Sequence, residues 1–132
     1  MKKTFLELLQ VDGVVGALYK ANPELRESKF GYAYNKFYKD NIQPTSELLA
    51  EEINLARIDN ALEDEKTKAI IRDEKSPRGY AYSKEGEKAV IAAEKTISQK
   101  FEQKEIEIKP YISSYIPEMT EEQKELLKGL VI

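Results

Sequence analysis

The chain contains no cysteine, which excludes a disulfide framework, a thiolate nucleophile and any cysteine-based metal site. It contains no histidine either, which removes the commonest general base, the usual zinc ligand and the usual pH switch. Tryptophan is absent. No apolar run approaches the roughly 20 residues of a membrane span. After Met1-Lys2-Lys3 the apolar stretch Phe5 to Leu9 is interrupted by Glu7, and Asp12 follows, so a secretory signal is not expected. The net charge of -3 gives no overall field to draw in nucleic acid or an anionic membrane. These shortages predict a cytoplasmic protein with no cofactor, no bound metal, no membrane contact and no identifiable small-molecule substrate. They also weigh against an enzyme. At 132 residues, one domain over 1–132 is expected, long enough to bury a core without staples.

What is present is mostly helical pattern. Thr4-Phe5-Leu6-Glu7 fits a capping box, and the helix it starts would bury Phe5, Leu8, Leu9, Val15 and Leu18. Gly13 and Gly16 weaken that helix by about 1 kcal/mol each, and close packing of a neighbour is the preferred explanation for them. Asn22-Pro23-Glu24 predicts the next helix start, with Phe30, Ala33, Tyr34, Phe37 and Tyr38 on one face and Asn41 and Pro44 ending it. Lys29, Lys36 and Lys39 are interleaved with those rings, a pattern that also suits stacking of bases. Core aromatics with lysines at the rim is the simpler account. Ser46 predicts a cap for a third helix over about 46–64, whose Leu48, Leu49, Ile53, Leu55, Ile58 and Leu62 make an apolar surface wider than one stripe. Such a helix packs on both neighbours or on another subunit. The carboxylates Asp59, Glu63, Asp64, Glu65, Asp73 and Glu74 could be cast as a magnesium site, but an acidic helix end followed by an exposed turn explains them better.

From Thr67 to Pro110 the pattern changes. Ala69 to Ile71 and Tyr80 to Tyr82 suit two short strands, joined through Ser76-Pro77-Arg78-Gly79, a turn sequence. Ser83 predicts a cap, and Val90, Ala93, Ile97 and Phe101 recur at spacings of three and four as one helical stripe. Ile106 and Ile108 alternate with charged residues in a third strand stopped by Pro110. Gly31-Tyr32-Ala33-Tyr34 returns as Gly79-Tyr80-Ala81-Tyr82, expected as helix in the first copy and strand in the second. Near the end, Thr120-Glu121-Glu122-Gln123 is a second capping box, its helix holding Leu126 and Leu127 inside and ending at Gly129. Leu130, Val131 and Ile132 then form an apolar terminus that docks on its own domain or on a partner. The expected class is α+β: three N-terminal helices packed on a small antiparallel sheet (hairpin, helix, third strand), with a short C-terminal helix.

Three segments, 28–36, 64–71 and 78–86, occur in an order that resembles small uncharacterised proteins encoded in tailed-phage and prophage genomes, over about residues 25–110. The resemblance carries no catalytic or binding residues. It implies a small phage-encoded accessory protein in the host cytoplasm or the virion: a virion component, assembly factor or modulator of host machinery. Three functional expectations follow. The first is a non-enzymatic interaction protein, self-associating or bound to a protein partner, with Arg78, Tyr80, Tyr82, Leu130, Val131 and Ile132 as candidate interaction residues. The second is a nucleic-acid-binding module using Tyr32, Tyr80 and Tyr82 with Arg78, Lys84 and Lys88. The third is an enzyme using Asp59, Asp64 or Asp73 as base or metal ligand.

Overall fold

The computed structural model describes residues 1–132. In order, the elements are β1 (Lys2–Thr4), α1 (Phe5–Ala21), a 3-10 turn (Pro23–Glu27), α2 (Lys29–Asn41), α3 (Gln43–Asn60), α4 (Lys84–Glu102), β2 (Glu105–Glu107) and α5 (Glu121–Leu127). Five helices and one two-stranded antiparallel sheet make a mixed helix-and-sheet fold. The chain divides into two compact units, one of residues 1–46 and 102–132, the other of residues 47–101.

The first unit holds most of the core. The Thr4 capping box forms as expected, with Glu7 N donating to Thr4 Oγ1 at 3.2 Å and Thr4 N to Glu7 Oε1 at 3.1 Å. On α1 the buried residues are Phe5, Leu8, Val11, Val15 and Leu18. Val11 replaces the expected Leu9, which is exposed. Helical drift explains the exchange, because Leu8, Val11, Val15 and Leu18 keep the three- and four-residue steps of one stripe. An added Cβ at Gly13 or Gly16 would meet nothing within 4 Å, so no neighbour packs against either glycine, contrary to the expectation.

Asn22-Pro23 starts a 3-10 turn rather than α2, and the Asn22 side chain makes no cap bond. Ser28 is the cap of α2, its Oγ accepting from Gly31 N at 3.3 Å. Here glycine is required: a Cβ on Gly31 would lie 2.2 Å from the Arg26 carbonyl oxygen. From α2, Phe30, Tyr34 and Phe37 join the core, as the aromatic spacing predicts. Pro44 does not follow a break but lies in the first turn of α3, where its missing N–H costs nothing. The helix therefore begins at Gln43 instead of Ser46 and closes at Asn60 instead of residue 64.

β2 is the expected acidic-isoleucine strand, but its partner is β1, with Lys3 opposite Ile106, not the hairpin. Asn41, at the end of α2 and 2% exposed, extends that edge. Its Oδ1 accepts from Lys109 N at 2.8 Å, and its Nδ2 donates to Lys109 O at 2.9 Å and Phe37 O at 3.0 Å. Past it, Tyr111 N donates to Leu130 O at 2.9 Å and Ser113 N to Val131 O at 2.7 Å. The Thr120 capping box forms, Leu127 is buried while Leu126 is exposed, and Gly129 takes φ +77°, the left-handed stop of a helix.

In the second unit the expected hairpin is reduced to two isolated bridges, Glu63 with Ile70 and Arg72 with Tyr80. The reason is Leu62. Its carbonyl takes the Ile71 N–H at 2.8 Å and its own N–H goes to Ala81 O at 2.8 Å, so three short pieces share the bonds and none is long enough for a ladder. The turn at 76–79 closes through Gly79 N to Ser76 O at 3.0 Å, with Gly79 at φ +81°. Ser83 Oγ accepts from Gly86 N at 3.0 Å, capping α4 as expected. The two copies of Gly-Tyr-Ala-Tyr thus differ in kind: helical in α2, turn and extended chain in 79–82.

Candidate interaction surfaces

Arg78, the expected tip residue, is held from within the second unit. Its Nε donates to Glu94 Oε1 at 2.7 Å, and Arg57 Nε reaches the same oxygen at 3.0 Å. Glu94 is 19% exposed. Burial opposes its ionisation, but the two guanidinium hydrogen bonds outweigh burial and hold its carboxyl below the ordinary glutamate value. The same contact raises Arg78. Tyr82, half-buried, donates to Arg57 O at 3.2 Å, and Tyr80 donates to Asn54 Oδ1 at 3.4 Å while the Arg72 guanidinium lies 5.7 Å from its ring centre. Burial pushes the Tyr82 hydroxyl up. These three candidates therefore form a structural clamp joining the 71–82 segment to α3 and α4. Tyr32 belongs to the first unit and Tyr80, Tyr82, Arg78, Lys84 and Lys88 to the second. Glu94, the hub of the clamp, carried no sequence signal, since it reads as one exposed acid among many on an amphipathic helix.

Leu130 and Val131 are fully buried, and their carbonyls are bonded to Tyr111 and Ser113. Of the two docking alternatives for the C terminus, its own unit takes these residues, and Ile132 is half-buried beside them. Among the acids, Asp64 Oδ1 accepts from Lys66 N and Thr67 N, both at 2.9 Å, and Asp73 Oδ1 accepts from Lys75 N at 3.0 Å. Both carboxylates close their own turns, and no three acids converge on a point that could hold a metal ion.

The α3 surface is a different matter. In the second unit only Val90 and Phe101 are buried apolar residues, while Leu48, Leu55, Leu62, Ile71 and Ile91 are 41–53% exposed. Leu48 and Leu55 lie two turns apart on α3 and so share a face, and Leu62 follows just past its end. Exposed Glu51 and Asp59 stand one turn to either side of Leu55, while Ile91 on α4 has exposed Glu87 and Lys88 one turn before it and exposed Lys95 one turn after. Helical spacing puts these charges on the face of their apolar residue.

In the first unit, the outer side of α2 exposes Tyr32, at 63%. Tyr34, on the inner side, donates to Asp12, and burial followed by that hydrogen bond pushes its hydroxyl far above the ordinary tyrosine value. Tyr111 donates to Asp40, a hydrogen bond that raises it also.

Compared with known proteins, the chain matches no family model, no curated protein and no solved structure. No helix is long and apolar enough to cross a membrane.

Proposed function

We propose that this chain is a non-enzymatic accessory protein, of the phage-encoded kind it resembles, that works by protein–protein contact and assembles with further copies of itself. The supporting observation is the apolar surface of residues 47–101: five large apolar side chains lie open, Leu49, Ile53, Ile58, Ile70 and Ile97 are half-buried, and two are buried. Each exposed leucine leaves part of the roughly 25 cal/mol per Å² of burial unrealised, and a surface of this kind marks an association site.

The charges select the partner. Leu55 is flanked by exposed Glu51 and Asp59, and Ile91 by exposed Lys88 and Lys95 with Glu87 beside them. The acids on α3 can pair with these two lysines on α4 of a second copy, α3 of one against α4 of the next. Charge of this pattern sets register and partner choice more than affinity.

Size-exclusion chromatography with light scattering tests this. The expected result is a mass above the 15.2 kDa of one chain, falling to that value in Leu55→Glu, and a charge-reversed Lys88→Glu/Lys95→Glu variant that also dissociates. A wild-type protein that stays monomeric at the highest concentration it tolerates overturns the proposal.

A further inference from the structure

We propose that the outer face of α2 is a binding surface for single-stranded nucleic acid, with Tyr32 as the stacking ring and Lys29 and Lys36 as the phosphate contacts. Three observations carry it.

Tyr32 is a large ring that the fold does not use. It is 63% exposed, whereas Phe30, Tyr34 and Phe37 of the same helix are buried. Lys29 and Lys36 stand three residues before it and four after, so all three side chains share one face. A cation on either side of an exposed ring is the arrangement that tracks a sugar-phosphate backbone while a base stacks between.

Neither lysine is neutralised. No carboxylate lies within ion-pair distance of Lys29, Lys36 or Lys39. Asp12 and Asp40 accept from the hydroxyls of Tyr34 and Tyr111. From Glu24 to Asp40 the chain has four cations, Arg26, Lys29, Lys36 and Lys39, and three acids, Glu24, Glu27 and Asp40. Within a chain of net charge -3 this segment carries a small positive excess.

Tyr32 also divides two clefts. One, of about 280 Å³, is lined by Tyr19, Arg26, Asn35 and Tyr38, with the Arg26 guanidinium 5.1 Å from the Tyr19 ring centre. The other, of about 290 Å³, is lined by Lys29, Lys36, Ile112 and Ser113. A ring between two open clefts can carry one base on its face while neighbouring nucleotides lie to either side. The aromatic and guanidinium surfaces of the first cleft offer a second stacking position. Nothing here reads base edges, so weak sequence preference is expected. Extended single strands should be favoured over duplexes, whose bases are already stacked.

The test is fluorescence anisotropy with a labelled oligothymidylate at rising salt. The wild type should bind at low salt and lose affinity steeply as salt rises. Tyr32→Ala should weaken binding about fivefold or more, the low end of one base–aromatic stack, and Tyr32→Phe should retain it. Lys29→Ala/Lys36→Ala should reduce the salt slope by about 1.4, the release expected for two phosphate contacts on a single strand. All of these positions are exposed, and circular dichroism verifies that each variant is folded. Absence of binding at low salt, a Tyr32→Ala affinity equal to wild type, or equal affinity for a duplex of the same length would each overturn the proposal. So would binding to anionic vesicles that needs the lysines and not the ring, which would make this a membrane-surface patch.

Discussion

The three helical glycines of the first unit provide the sharpest test of its packing, because the structure assigns them opposite signs. Gly13 and Gly16 lie on the exposed side of α1, and a methyl group at either meets open space. Alanine there should gain the helix-propensity difference of about 1 kcal/mol each, part of it through a less flexible unfolded chain. Gly31 would make the same propensity gain, but its Cβ would stand 2.2 Å from Arg26 O and 2.6 Å from Leu25 O. Those are backbone atoms of the 3-10 turn, so no side-chain rotation relieves the overlap and the turn must move by about an ångström. Overpacking of that kind costs about 1–3 kcal/mol or more. With an unfolding entropy of about 2.1 cal/mol/K per residue over the whole chain, 1 kcal/mol corresponds to roughly 3–4 °C in Tm. Gly13→Ala/Gly16→Ala should therefore raise Tm by about 6–7 °C, while Gly31→Ala lowers it by several degrees. Differential scanning calorimetry on the two variants and wild type decides the matter. A Gly31→Ala protein that melts higher than wild type would refute the close approach of the 3-10 turn to α2. A lower Tm for the α1 double variant would refute the open surface around α1.

Two further predictions concern buried polar links. Glu94→Ala should cost about 1.5–3 kcal/mol near neutral pH, the range for hydrogen bonds to a charged group. Because the folded carboxyl of Glu94 sits below its ordinary 4.5, its contribution is complete above that value and disappears as pH falls through the folded one; urea titrations should show the variant and wild type converging in acid. Asn41→Ala strands the N–H and carbonyl of Lys109 and should cost about 2–3 kcal/mol, with faster hydrogen exchange at Lys109 in the folded protein; unchanged exchange there would show the Asn41 bridge to be dispensable.

What was legible in the sequence was short-range. Both capping boxes, the Ser83 cap, the Gly79 turn and the Gly129 stop form where the residues place them, because each is settled by partners three or four positions away. The boundaries around α2 and α3 were not, since Pro23 and Pro44 mark a helix start and a chain break with the same residue. Pro23 opens a 3-10 turn, and Pro44 sits inside a helix read as beginning after it. β1 escaped notice because three residues, Lys2 to Thr4, carry no periodicity, and its partner lies a hundred positions downstream. The weak hairpin has the same origin: Ile71 was expected to bond Tyr80's strand alone, and Leu62 takes half of its capacity.

The candidate surfaces divide along a similar line. The excess apolar width of 46–64 could be read from Leu48, Leu49, Ile53, Leu55, Ile58 and Leu62, because more apolar residues occur than one helical stripe can hold. Arg78 looked like a free guanidinium at a loop tip, and only the fold brings Glu94 and Arg57 to it. The polar interior is closed in the same sense throughout: no buried side-chain nitrogen or oxygen lacks a partner. The protein's open capacity lies in apolar side chains on α3 and α4 and in a ring between unpaired lysines on α2. The two proposed surfaces share no residue, so assembly and nucleic-acid binding can each be removed by one substitution while the other remains to be measured.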